Sequence, residues 1–166
     1  MTNNSATLDK ELRRNFSPAL KSLGFKASGR NYRKQHHDLL FLVNVQGSQW
    51  GGQFTVNLAA QPIFIPNFFG QSVNVNTIKE YECEFGCRLS DAPNTDKWWI
   101  HKGRQAEMEQ SRKNAADIFI AHSYSFFDLF TGAQSWFQTL SIDDLIRTGP
   151  TLPGRMCSSE IRLSFV

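Results

Sequence analysis

The sequence predicts an α+β domain: a mainly antiparallel sheet of four to six strands, an N-terminal helix, and C-terminal helices packed on one face. Three features predict it. Leu8, Leu12, Phe16, Leu20 and Leu23 recur every three or four residues, the apolar stripe of an amphipathic helix. Residues 39–46 and 54–59 each alternate apolar and polar side chains around the loop Gly47-Ser48-Gln49-Trp50-Gly51-Gly52, which is hairpin patterning. The stretch 103–150 then returns to helical composition.

In the first helix Thr7 reads as N-cap, and Gly24 stands where a left-handed C-terminal cap belongs. Pro18 interrupts the stripe, because it lacks an N–H and its ring crowds the preceding turn. Either the helix kinks there, or Ser17-Pro18 begins a second helix as N-cap and first residue. Residues 25–34 form strand, broken at Ser28-Gly29, and His36-His37-Asp38 turns the chain into the hairpin.

Matched apolar faces allow few hairpin registers, since a one-residue slip inverts every side chain. One pairs Val45 with Phe54, Val43 with Val56 and Phe41 with Leu58, placing Asn44 opposite Thr55, Gln46 opposite Gln53 and Asn57 beside Leu42. The hairpin then has one apolar face, one amide-lined face, and Trp50 at its tip. Residues 61–79 carry two prolines and no period, which reads as an irregular excursion or flap. Strands are expected at 81–89 and 98–101, and helices over 103–121, from about 126 to Gly132, and at 141–146. A last strand is expected at 160–166.

The length of 166 residues fits one domain, with the helical part at 103–150 belonging to it. No signal-peptide pattern and no apolar run of about 18–20 residues occurs, so a cytoplasmic chain with no membrane partner is expected. Three cysteines, Cys83, Cys87 and Cys157, are too sparse for a disulfide framework. The net charge of +3 conceals a division: residues 1–34 hold eight Lys/Arg against two acids, and the remainder ten against thirteen. The basic third, with Phe25 and Tyr32 interleaved, is a candidate for nucleic acid, but its spacing also fits an outward helix face, and the total charge falls short of a strongly basic binding domain.

No phosphate-binding loop, dinucleotide fingerprint, zinc-protease motif or nucleophile elbow is present, and the sequence calls for no catalytic residue, metal or cofactor. Cys83 and Cys87, with His101 and Cys157, have loose zinc-ligand spacing. On a strand, however, two residues four apart stand about 13 Å from one another at roughly 3.3 Å per residue. His36-His37 reads as a solvated turn, and Asp143/Asp144 as a solvated acidic pair. Glu82/Glu84 reads first as an exposed, solvated strand face, and secondarily as a pair about 7 Å apart that a cation or a basic partner could reach. The amide hairpin stands out because Asn is depleted in strands. Asn44, Gln46, Thr55 and Asn57, with Arg88, either cross-brace the sheet or face a ligand.

Leu20-Lys21, Leu23-Gly24-Phe25-Lys26, Asn31-Tyr32-Arg33, Asn44-x-Gln46-x-Ser48, Phe54-Thr55-Val56-Asn57-Leu58, Arg88-Leu89 and Asp96-Lys97-Trp98-Trp99 follow in order. Over roughly residues 8–101 this pattern resembles the bacterial domain of unknown function 4304 family. The resemblance transfers no activity and no catalytic residue. It implies kinship with small proteins encoded near polymorphic toxins, and so an immunity-like, toxin-neutralising function. A protein partner would be held by Trp50, Phe68, Trp98 and Trp99, since exposed aromatics anchor interfaces. The alternatives are a small-ligand or nucleotide site on the amide face, and nucleic-acid binding by the basic third.

Overall fold

The computed structural model describes residues 4–91, 95–102 and 105–131. Helix α1 (Asn4–Glu11) runs into a π-helical turn at Leu12–Phe16 and then α2 (Ser17–Ser22). The π turn is the chain's answer to Pro18. The Ser17 N–H reaches back to the Leu12 carbonyl, one residue beyond the α-helical partner, and the helix passes the proline without breaking. Thr7 therefore lies inside a helix that begins three residues earlier, and is not its cap. Ser17 makes no side-chain cap; its hydroxyl pairs with the buried Tyr32 hydroxyl at 2.9 Å. Gly24 takes φ +86°, and the Gly24 and Phe25 N–H groups close onto the Lys21 and Leu20 carbonyls, the paired bonds of a glycine-terminated helix.

Six antiparallel strands follow: β1 (Lys26–Ser28), β2 (Asn31–His36), β3 (Leu39–Gly47), β4 (Gln53–Pro62), β5 (Phe85–Arg88) and β6 (Trp99–Ile100). The order is β1-β2-β3-β4-β5, with β6 also on β4. The central hairpin is shifted by two residues from the register expected: Val45 faces Val56, Val43 faces Leu58, Asn44 faces Asn57 and Gln46 faces Thr55. A shift of two keeps each side chain on its face. Its cause is a shorter loop. Gly51 and Gly52 adopt φ +72° and +74°, the Gly51 N–H bonds to the Ser48 carbonyl, and Ser48 already pairs with Gln53.

The inner face carries Tyr32, Phe41, Val43, Val45, Phe54, Val56, Leu58 and Phe85, all buried under the N-terminal helix and α3 (Gln105–Thr131). Phe119 meets Phe16 at 5.6 Å and Phe130 meets Phe85 at 5.2 Å, so rings from three layers interlock. Helix α3 is continuous through 122–126, where a break between two helices was expected; Phe119, Phe126 and Phe130 keep one buried stripe across that stretch. The helix and strand expected at 141–146 and 160–166 lie outside the described residues.

The outer face is covered over part of its area. The irregular stretch expected at 61–79 begins two residues later, because Gln61 and Pro62 extend β4 opposite Leu40 and Leu39; segment 63–79 lies on Leu40, Leu42 and Ala59 through Ile63, Val73, Val75 and Ile78. It is tied down by side chains of the sheet. Arg33 donates to the Val75 and Ile78 carbonyls at 2.9 and 2.6 Å, and the amide of the wholly buried Gln61 donates to the Ile65 and Pro66 carbonyls at 3.4 and 3.3 Å. Residues 80–82 form a 3-10 turn rather than strand, so Glu82 and Glu84 do not share a strand face. No described helix is long and apolar enough to cross a membrane.

Candidate functional site

Where the 63–79 cover stops, one row of the outer face stays open. The register sets Asn31 of β2, Asn44 of β3, Asn57 of β4 and Arg88 of β5 directly opposite one another. Four strands at about 4.8 Å spacing make this row about 14 Å long. Its side chains bond along the row: Asn44 Nδ2 donates to Asn31 Oδ1 at 2.9 Å, and Asn57 Nδ2 reaches Asn44 Oδ1 at 3.5 Å. Asn57 also donates to Gln46 Oε1 at 3.0 Å and accepts from Arg88 Nε at 3.4 Å. The guanidinium of Arg88 is held by the Asp96 carboxylate and lies 5.2 Å from the Trp98 ring.

This row is the floor of an open groove of about 1190 Å³, walled by Phe68, Lys79, Glu80, Tyr81, Glu84 and the Thr95-Asp96 segment. Two of its cations are engaged, Arg88 by Asp96 and Arg30 by Asp9. Its carboxylates Glu80 and Glu84 make no ion pair among the described residues. Burial raises the Glu80 pKa, opposed by its own backbone, the Asn57 amide and nearby Lys79. Burial alone raises Glu84, whose Oε1 is inaccessible and has no hydrogen-bond partner. Asp96 is held below the usual carboxylate range, mainly by the Arg88 hydrogen bond.

Of the residues expected to bind, Asn44, Gln46, Asn57, Phe68 and Arg88 line this groove. Thr55 does not: it is fully buried and its hydroxyl donates to the Lys97 carbonyl at 2.9 Å, fastening the strip that carries Asp96. Trp50 stands 89% exposed at the hairpin tip. Trp98 is half-buried on Arg88. Trp99 is a core residue, 3% exposed and stacked on Phe54, because it occupies the inward position of β6. Asn44 and Asn57 are half-buried and bonded to side chains rather than to backbone, so the row is cross-linked and open together.

Sequence reading missed Asn31, Glu80, Tyr81 and Asp96 as parts of this groove. A usable signal existed for Asn31. A two-residue turn at His37-Asp38, with His37 at φ +50°, places Asn31 opposite Asn44. Cys83 precedes β5 rather than lying on it, and among the described residues no group of three metal-ligating side chains occurs. Cys157 and the Asp143/Asp144 pair lie outside them. Burial, with the charge of Glu80, pushes the Cys83 thiol far up, so this groove-lining sulfur stays protonated and a poor nucleophile. The rings of His36 and His37 pack edge to face at 4.5 Å in an exposed turn.

The family model described as Domain of unknown function (DUF4304) matches residues 16–129, which extends into α3, past the motifs at residues 8–101. No curated protein and no solved structure matches the chain.

Proposed function

The chain belongs to the family Domain of unknown function (DUF4304), and from the geometry of its outer sheet face we propose that it is a binding module whose ligand seats in the groove there. The observation that carries this reading is the row Asn31–Asn44–Asn57–Arg88. Three Asn on adjacent strands cost β-propensity. The neighbouring outer rows instead hold Leu42 with Ala59 and Leu40 with Gln61, roofed by the 63–79 segment. Polar side chains stand in line where the roof ends. Each amide offers two donors and an acceptor oxygen, and Asn31 uses only its oxygen among the described residues, so hydrogen-bonding capacity faces the groove.

A thermal-shift screen of polar metabolites and short peptides tests the reading. At least one compound should raise the melting temperature of the wild-type chain and leave an Asn44→Leu/Asn57→Leu double variant unmoved. A screen without hits, or hits acting equally on both proteins, overturns it.

A second reading rests on Trp50. The indole projects from a loop fixed by two left-handed glycines, and at Gly52 an added Cβ would lie 3.2 Å from the Lys102 Cβ. An exposed aromatic on such a loop is suited to anchor a protein partner, a toxin in the immunity-like form of this reading. Capture of the neighbouring gene's product that is lost in Trp50→Ala supports it. Capture unchanged in both Trp50→Ala and Phe68→Ala refutes it. Binding of nucleic acid by the basic third has less support. Arg30 is engaged by Asp9, and Arg33 by two carbonyls of the 63–79 segment.

A further inference from the structure

We propose that the groove recognises a cationic group, an alkylammonium or guanidinium, seated at the Glu84 carboxylate beside the rings of Phe68 and Tyr81. This deepens the groove reading above and rests on it. Three observations converge. The first is the charge balance of the lining. Arg30, Lys79 and Arg88 face Glu80, Glu84 and Asp96, but Arg30 is held by Asp9 and Arg88 by Asp96. Lys79, Glu80 and Glu84 remain, two carboxylates against one ammonium. An anion entering here would meet cations already engaged and carboxylates that repel it.

The second is Glu84 itself. Its side chain is 8% exposed, and Oε1 has neither solvent nor a hydrogen-bond partner. A carboxylate oxygen placed so is costly unless something donates to it. Its backbone is fixed, because the Glu84 N–H bonds to Gln61 Oε1 at 2.8 Å, itself anchored in the wholly buried Gln61 side chain. Oε1 itself is sealed off; the other oxygen of the carboxylate is the one left for the groove of about 1190 Å³, and a cation seated there would offset the buried charge.

The third is the aromatic wall. Phe68 and Tyr81 line the same groove, and Tyr81 is 67% exposed. The Phe68 N–H bonds to the Glu82 carbonyl at 2.9 Å, which holds the Phe68 backbone beside residue 82. A carboxylate joined by the faces of aromatic rings attracts cations, through the ring quadrupole as well as the charge. The remainder of the ligand then lies along the Asn44–Asn57 floor. The same cation occurs on free polyamines and on Lys or Arg side chains of a peptide, so both forms belong in the test.

Backbone amide NMR shifts of the full chain are followed with three probes: agmatine, Nα-acetyl-lysine amide, and the uncharged Nα-acetyl-norleucine amide. The two cationic probes should shift amides of Phe68, Gly86 and Cys87 and saturate. The norleucine compound should bind at least tenfold more weakly. Glu84→Gln should weaken the cationic probes at least tenfold, and Tyr81→Leu a few-fold, with the spectrum of each variant verifying its fold. Agmatine alone binding assigns the site to free amines, and lysine amide binding more tightly assigns it to a basic peptide; both support the proposal. Equal binding of the norleucine probe, no response to either cation, or no effect of both variants overturns it. If anionic or neutral compounds from the screen occupy the groove instead, the groove reading stands and this inference falls.

Discussion

Replacing Glu84 by Gln should stabilise the ligand-free chain at neutral pH, and the gain should vanish in acid. Glu84 is 8% exposed and Oε1 lacks a partner, so its charge is unfavourable in the folded state, and burial raises its pKa above the ordinary value. Below about pH 4, near the unfolded pKa of a glutamate, both states hold the proton and Glu and Gln are nearly equivalent. Between that value and the raised folded pKa the unfolded chain releases its proton first, so wild-type stability falls as pH rises. Above the folded pKa the penalty is complete and constant. One orphaned oxygen puts it at the low end of the range for an unpaired buried polar group, about 1 kcal/mol. For a chain of this size that amounts to roughly 2–4 °C in melting temperature. Urea denaturation of both proteins between pH 4 and pH 8 measures it. The difference between the curves isolates Glu84 from Asp96, whose lowered pKa acts in the opposite sense by losing stability as pH falls. A variant less stable at pH 8, or a difference that ignores pH, would refute the reasoning.

Arg112 of α3 is 1% exposed and its Nη2 lies 3.4 Å from Glu11 Oε2, so Arg112→Met should cost about 1–3 kcal/mol, because the Glu11 carboxylate loses its buried partner and keeps Arg14 at 3.8 Å and the Asn15 amide at 3.4 Å. Adding Glu11→Leu should restore most of that in a urea titration; no recovery would contradict the pairing. Gly52→Ala places a side chain at φ +74° and against Lys102, and should cost about 1–2 kcal/mol by thermal denaturation, whereas the same change at an unstrained exposed loop position would cost little. Thr55→Val removes a buried hydroxyl bonded to the Lys97 carbonyl, with an expected loss of about 1 kcal/mol. It should also speed amide exchange in residues 95–98, and unaltered exchange there would show that the hydroxyl does not hold the strip.

The α+β architecture was legible because periodicity is a local property. The Leu8–Leu12–Phe16–Leu20 stripe and the two alternating strands needed no tertiary information, and all are buried as the spacing predicts. The hairpin's faces were legible and its register was not, since registers two residues apart expose the same side chains and only the four-residue glycine turn separates them. Pro18 allowed two readings. The structure comes close to the second: α2 starts at Ser17 with Pro18 in its first turn, but Phe16 rather than Ser17 stands before it, and a π turn joins it to α1 without a break. Half of the groove was legible from the anomalous Asn44 and Asn57. Its walls were not. Glu80, Tyr81 and Asp96 come from irregular segments whose position is set by tertiary bonds such as Arg33 to Val75 and Thr55 to Lys97. Trp99 was misassigned to the surface because two adjacent tryptophans in a strand point opposite ways, and composition does not say which is inside.

The central claim is that the open row of the outer sheet face is a ligand site. A crystal structure with a stabilising compound from the screen tests it most directly. The compound should lie in the groove, with polar atoms within hydrogen-bond distance of at least two of Asn31, Asn57 and Glu84. A compound bound at the hairpin tip around Trp50, or elsewhere with the row untouched, would contradict it.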